Sequence, residues 1–211
     1  MKMCIFGANG QTGIYILKRG IAQGHAIRAA VRRKESIAAY EDSVEVAEYS
    51  FDNLDSVRNA LTDCAVVISA IGSGNATAVE STSLYSSSVK TLLKAMELEN
   101  INRLIVISSA GVDYDPKAPW FYRIIVRRWI MNTYMDMMKM ETILEEASKE
   151  IRWTIVRPNF LQNGDSKDYL IKNKKVEGGN YKINRVDVAD FILRESKENE
   201  WIHRHPALSY E

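Results

Sequence analysis

The 211-residue sequence predicts an α/β fold, a doubly wound parallel sheet with helices on both faces. Three observations carry that prediction. The apolar run Met3-Cys4-Ile5-Phe6 leads into Gly7-Ala8-Asn9-Gly10-Gln11-Thr12-Gly13, after which Ile14, Leu17, Ile21 and Ala22 recur at helical spacing, so the chain opens as strand, tight turn, helix. Ala65-Val66-Val67-Ile68-Ser69-Ala70-Ile71 is continuously apolar but for one serine, as expected of a strand buried on both faces of a parallel sheet. Strand-like and helical patterns alternate to the end of the chain without repeat, low-complexity stretch or linker, so residues 1–211 read as a single domain.

The glycines of the opening turn fall at G-x-x-G-x-x-G, a variant of the dinucleotide-binding turn of Rossmann-like folds. Gly7 lets the chain leave the strand sharply, Gly10 lets a pyrophosphate approach the backbone, and Gly13 lets the helix pack close to the sheet. The helix N-terminus offers free N–H groups to the phosphates. A second strand, 25–31, ends in Arg32-Arg33-Lys34. In an NAD site this position offers an acid to the ribose 2′-OH; a basic slot suits the 2′-phosphate of NADP instead.

A short alternating strand spans 44–49, and Asp52-Asn53-Leu54-Asp55 caps a helix running to about Leu61. The apolar 65–71 strand closes on Gly72-Ser73-Gly74, a turn over which a cofactor can pass. A serine-rich helix covers about 79–99, its small polar residues permitting close packing. The fifth strand, 103–107, ends at Ser108-Ser109-Ala110-Gly111. A turn-rich piece, 113–119, precedes one long or broken helix over 120–148, whose first half mixes Trp120, Phe121, Tyr122 and Trp129 with Arg123, Arg127 and Arg128, a lid or subunit contact beside the cleft. Residues 153–157 form a sixth strand stopped by Pro158. Residues 159–184 read as a polar loop, a last helix starts at Asp187, and the tail from Trp201 forms a short edge strand. Residues 159–211 thus make a small substrate-side segment.

The hydrophobic fraction of 46% and charged fraction of 26% are those of a globular protein, and a net charge of +1 gives no electrostatic case for nucleic acid or an anionic membrane. Cys4 and Cys64 sit in apolar runs and read as small buried hydrophobes, with no disulfide framework or metal site. No signal peptide or long apolar span is visible, which points to a cytoplasmic protein.

Several blocks together resemble the atypical short-chain dehydrogenase/reductase group, and within it the flavin reductase / biliverdin-IXβ reductase-like family. They are 6–13, Val31-Arg32, Ser108-Ser109-Ala110, Thr154-Ile155-Val156-Arg157-Pro158, Gly164-Asp165 and Val186-Asp187-Val188-Ala189. The resemblance implies NADPH-dependent reduction of a free flavin, FMN or FAD, or a similar planar acceptor, by a monomer or homodimer. The cofactor positions it implies are Gly7, Asn9, Gly10, Gln11, Thr12 and Gly13 in the turn, then Arg32 and Arg33, Ile71-Gly72-Ser73, Ser108, and Pro158-Asn159-Phe160 beside the nicotinamide. Where many relatives carry an aspartate on the adenine side, this chain has Tyr49.

Typical short-chain dehydrogenases use a Tyr and a Lys four apart on one helix, with a Ser on the fifth strand. Here Ser109 is present, but Tyr134 and Lys139 are five apart, about 140° around a helix, and Met138 fills the lysine slot. Alcohol oxidation needs a positioned base; flavin reduction does not, because the acceptor spreads the incoming charge and takes its proton from solvent. Ser109 is therefore the single candidate catalytic residue, as donor of a hydrogen bond to the acceptor; a structural role for it is the alternative. A different class of function remains open, a non-catalytic NADP-binding sensor similar to the NmrA-like repressors. An alcohol-type dehydrogenase using Tyr114, Tyr122 or Tyr134 is a third expectation. About fifty residues follow Pro158, too few for the substrate lobe of a sugar-nucleotide epimerase.

Overall fold

The computed structural model describes residues 1–73, 82–114, 116, 127–176 and 181–211. Its frame is an eight-stranded sheet built from β1 (Lys2–Phe6), β2 (Ala26–Val31), β3 (Glu45–Glu48), β4 (Val66–Ser69), β5 (Arg103–Ile107), β6 (Arg152–Pro158), β8 (Leu170–Asn173) and β10 (Pro206–Ser209). The order is β3-β2-β1-β4-β5-β6-β10-β8, all parallel except the β8–β10 pair. Successive strands are added to one side as far as β3 and to the other from β4 on, so the switch point falls between β1 and β4, where a doubly wound sheet opens a crevice outside its strand ends.

The pleat explains the three layers. Met3 and Ile5 of β1 face α1 (Gly13–Ala22) and α5 (Arg185–Glu198), in a core with Ile16, Leu17, Phe191 and Leu193. Cys4 and Phe6 face the other way, toward α2 (Leu54–Leu61), α3 (Leu84–Leu98) and α4 (Arg127–Glu145), in a core with Val57, Leu92, Met96 and Met140. Alternate residues of one strand thus supply both cores, as the period of 2 requires. Both cysteines are free and buried.

Two buried polar clusters tie neighbouring elements together. Arg103 of β5 donates to Glu195 of α5 at 2.7 Å and to Thr154 of β6 at 2.9 Å. Both charged side chains are almost fully buried, and loss of one partner of such a pair costs about 3–5 kcal/mol. Asp136 of α4, 1% exposed, accepts from the Tyr85 amide at 2.8 Å and the Ser86 hydroxyl at 2.5 Å. It caps α3 from a neighbouring helix, so at least one of the serines on α3 has a specific partner beyond close packing.

Three expectations are corrected. Residues 159–184 are not a plain loop: β7 (Phe160–Gln162) pairs in parallel with β9 (Lys182–Asn184) as a second small sheet, and β8 joins the main one. Strands of three or four residues are too short to show an alternation. The tail strand β10 is not at an edge; it lies between β6 and β8, and all four of its residues are buried. Pro206 is tolerated there because it is the first residue of the strand. The third helix begins at Leu84, with residues 74–81, including Gly74, outside those described. Of the long helix expected over 120–148, the described part spans Arg127–Glu145. Trp120, Phe121, Tyr122 and Arg123 also lie outside the described residues, so the lid or contact assigned to that stretch is not placed.

Candidate functional site

Every expected cofactor residue lies at or just beyond the C-terminal end of a parallel strand. Gly7 to Gly13 follow β1, Arg32 and Arg33 follow β2, and Ile71, Gly72 and Ser73 follow β4. Ser108 and Ser109 follow β5, while Pro158, Asn159 and Phe160 straddle the end of β6 and the start of β7. The sheet order brings the β1, β4, β5 and β6 ends side by side along one crevice, with β2 flanking β1.

The turn is built on its own carbonyls. Gly7 has φ +74°, and a Cβ there would meet the Ala70 carbonyl oxygen at 2.7 Å, so this residue must be glycine both for its backbone and for the approach of β4. The Gly10 amide donates to Gly7 O at 2.9 Å and the Ile14 amide to Gly10 O at 3.0 Å. A Cβ on Gly13 would overlap the Gly7 carbonyl, 2.8 Å from its carbon. Gly13 therefore seals the turn. The close helix–sheet contact falls to Gly20, whose Cβ would lie 2.6 Å from Ile27 Cδ1 of β2. At the start of α1 no side chain caps the helix and no acid sits in the first turn. The amides of Gln11, Thr12 and Gly13 stand outside the turn's backbone hydrogen bonds, at the positive end of the helix dipole.

On the β5 side, Ser108 Oγ is buried without a hydrogen-bond partner. Ser109 accepts from the Gly111 amide at 3.1 Å, capping a 3-10 turn at Ala110–Val112; its own O–H remains available to donate. The Ser73 amide donates to the Tyr85 hydroxyl at 3.4 Å. Asn159 N–H donates to Leu208 O at 3.0 Å and fixes the exit of β6, and Phe160 is 69% exposed. Arg157 anchors the same strand end, donating to Glu141 of α4 at 2.5 Å and to Asp113 at 2.7 Å.

At the β2 end, Arg32 and Arg33 are exposed, and Arg33 precedes a 3-10 helix at Lys34–Tyr40. Sequence reading missed an acid here. Glu48, the β3 partner of Val31, accepts from the Lys34 amide at 3.1 Å. No spacing in the chain signals it, because it arrives across the strand pair. Tyr49 is 8% exposed, its ring edge-on to Phe6 at 4.8 Å. Burial pushes its hydroxyl up to about 12 against the opposing pull of Arg32. It packs the sheet and does not present an acid in place of the missing aspartate.

The Tyr–Lys positions diverge. Tyr134 is 8% exposed and belongs to the α3–α4 core, whereas Met138 is 48% exposed and Lys139 lies on the outer surface of α4.

A further group absent from the expected residues closes the crevice. Arg185, first residue of α5, donates to Gln11 Oε1 at 2.6 Å and to Asn163 Oδ1 at 3.0 Å, joining the glycine turn to the segment after β7. Asn184 donates to Asp165 O at 2.7 Å, and Asp187, wholly buried, accepts from Ser166 Oγ at 2.6 Å and from the Tyr210 hydroxyl. Burial and Asp187 together hold Tyr210 up at about 12. The sequence signal was the neighbouring Val186–Ala189 block; its partners lie too far along the chain for spacing to reveal them.

Free helix-terminal amides, a glycine-sealed turn and an orphaned buried hydroxyl at the strand ends fit a dinucleotide. Residues 7–199 match the model of the NAD(P)H-binding family, and the chain belongs to that family. Among solved structures it is similar to the oxidoreductase ylbE of Lactococcus lactis, with TM-score 0.82, 20% identity, and coverage of 100% of this chain and 91% of that one. A wide-type short-chain dehydrogenase/reductase of Veillonella parvula in complex with NADP gives TM-score 0.77, 21% identity and coverage of 99% and 94%. The anaerobillin reductase ChuY of Escherichia coli O157:H7 gives TM-score 0.75, 18% identity and coverage of 99% and 97%. These establish a Rossmann fold. Among the described residues no helix is long and apolar enough to cross a membrane, and no cluster of three or more potential metal ligands occurs.

Proposed function

We propose that the chain is an oxidoreductase that transfers hydride from NADPH to a free flavin or a similar planar acceptor. The observation that carries this reading is the divergence of Tyr134 and Lys139: one is packed in the core and the other is exposed on α4, so the two do not share a face as an acid–base pair requires. When bound, the dihydronicotinamide supplies the hydride. The chain's own residues then bind and orient. The glycine turn holds the pyrophosphate, Ser109 donates its free O–H toward the acceptor, and the exposed Phe160 ring offers an apolar wall for a planar system. The acceptor delocalises the added electron pair and takes its proton from solvent, so no general acid is required. The basic Arg32-Arg33 pair supports NADPH over NADH.

The test is NADPH oxidation with and without FMN, FAD or a quinone, NADH in parallel. Acceptor-dependent turnover supports the proposal; tight NADP binding without turnover supports a sensor instead. Ser109→Ala is expected to lower kcat on the order of ten- to a hundredfold, from the loss of a hydrogen bond worth about 1–3 kcal/mol at the reacting centre. Tyr134→Phe and Lys139→Ala stay within about tenfold, where loss of a general acid or base costs about 10²–10⁴-fold.

A further inference from the structure

Arg185 has the makings of a binding residue that its present contacts do not use. Its two hydrogen bonds go to neutral amide oxygens, Gln11 Oε1 and Asn163 Oδ1, and its Nε is buried with no partner. Burial depresses its basicity, and the one group that offsets this is the Tyr15 hydroxyl. The nearest acid in sequence, Asp187, is turned away to Ser166, Lys167 and Tyr210. Other arginines of the fold are matched differently: Arg19 faces Asp190, Arg28 faces Glu45, Arg103 faces Glu195, and Arg157 faces Glu141 and Asp113. A guanidinium drawn partly out of water costs free energy unless an anion compensates it. Among the described residues no acid faces it, and the guanidinium stands between the glycine turn and the segment that follows the β6–β7 end.

We propose that Arg185 anchors an oxyanion, the phosphate or carboxylate of an anionic acceptor, on the acceptor side of the crevice. The planar fork of arginine matches such a group with paired charge-assisted hydrogen bonds, stronger than its bonds to Gln11 and Asn163. Those two amides hold the fork in place until the anion takes it over. The acceptor class is thereby narrowed from planar conjugated molecules to those carrying a negative group beside the ring system. The identity of the acceptor rests on the oxidoreductase reading; the anchor itself does not. The cofactor's pyrophosphate is the other oxyanion within the same crevice, and the experiment separates the two.

FMN and riboflavin share one ring system and differ by a phosphate. Their binding to the full chain saturated with NADP⁺ is measured by flavin fluorescence, without turnover, on the wild type, Arg185→Gln and Arg185→Lys, each checked for an unchanged circular dichroism spectrum and melting midpoint. NADP⁺ affinity is measured separately by calorimetry. The wild type is expected to bind FMN about ten- to a hundredfold tighter than riboflavin. Arg185→Gln reduces that preference to about twofold by weakening FMN alone, Arg185→Lys restores part of it, and NADP⁺ affinity changes less than about threefold. Equal binding of the two flavins by the wild type overturns the anchor, as does a loss of both flavins together in Arg185→Gln. A loss of NADP⁺ affinity with the flavin preference intact gives the arginine to the cofactor and also overturns it. Selective FMN binding without NADPH oxidation sinks the oxidoreductase reading and leaves the anchor standing; no flavin binding at all overturns both.

Discussion

Removing Arg32 tests cofactor choice directly. Arg32 stands exposed one residue past β2, and Glu48 lies across the strand pair with its carboxylate on the Lys34 amide at 3.1 Å. If the adenosine ribose lies at the end of β2, it meets both a cation suited to a 2′-phosphate and an acid suited to a 2′-OH, and the sign of the preference depends on which wins. A phosphate carries close to two negative charges at neutral pH. A single charge pair at about 4 Å is worth about 1 kcal/mol in water and about 4 kcal/mol at an effective dielectric of about 20. A charge-assisted contact of about 1.5–3 kcal/mol lies inside that range and corresponds to roughly ten- to a hundredfold. Arg32→Ala is thus expected to raise KM for NADPH by that factor and to leave NADH within about threefold. Glu48→Gln, which removes the repulsion, is expected to shift kcat/KM a few-fold further toward NADPH. The assay is steady-state kinetics with both cofactors on the wild type and the two variants. Equal kcat/KM for NADH and NADPH in the wild type refutes the reasoning. So does an Arg32→Ala variant that loses both cofactors equally, since the arginine then serves the fold or the shared part of the nucleotide.

Gly13→Ala forces the Gly7 carbonyl to move, because its Cβ would overlap that oxygen; calorimetry is expected to show NADPH affinity reduced at least about tenfold, with about 1–3 kcal/mol of stability lost on denaturant unfolding. His205, 4% exposed, is held down at about 4 by burial first and by the Arg157 charge second. The unfolded chain binds the proton more readily, so stability is full above the ordinary histidine value of 6.5 and falls as pH drops from there toward 4, by about 3 kcal/mol; His205→Asn is expected to flatten that part of a stability–pH curve. Tyr210→Phe strips a hydrogen bond from the buried Asp187, and a fall of about 1–3 kcal/mol in urea stability, with an unchanged slope, is the expected outcome.

What was legible in the sequence follows from range. The glycine turn, the apolar 65–71 strand and the Asn53 cap are local patterns, and each appears where its residues place it: Gly7 at positive φ, β4 buried throughout, Asn53 accepting from the Ser56 amide at 3.1 Å. The parallel order followed from alternation, because a βαβ crossover returns each strand beside an earlier one. The rest was set by pairings between distant residues. Glu48 reaches Lys34 across a strand pair, Asp136 caps a helix fifty residues earlier, and Arg185 meets Gln11 from 174 residues away. The short strands of the 159–184 stretch were invisible for another reason: three- and four-residue elements such as β7, β8 and β9 hold their conformation through neighbours, while the tail was legible as a strand but not its place, because β8 covers the edge it would otherwise form.

The same distinction bears on chemistry. Sequence spacing alone argued against a Tyr–Lys pair because residues five apart on a helix do not share a face. The structure supplies a stronger reason. Tyr134 and Met138 are four apart, on neighbouring turns, and a lysine at 138 would have the spacing of an active dehydrogenase. Yet Tyr134 is packed with Tyr85, Met137 and Met140 in the α3–α4 core, while Met138 is half exposed. Spacing sets which residues can cooperate; the orientation of the helix on the sheet decides whether they face a substrate. In this chain Asp136, between those two positions, is committed to the N-terminus of α3, and Glu141, one turn further on, to Arg157 of β6. Those two buried contacts hold the rotation of α4 about its own axis. A site that orients two planar reactants keeps both contacts and asks nothing of the helix.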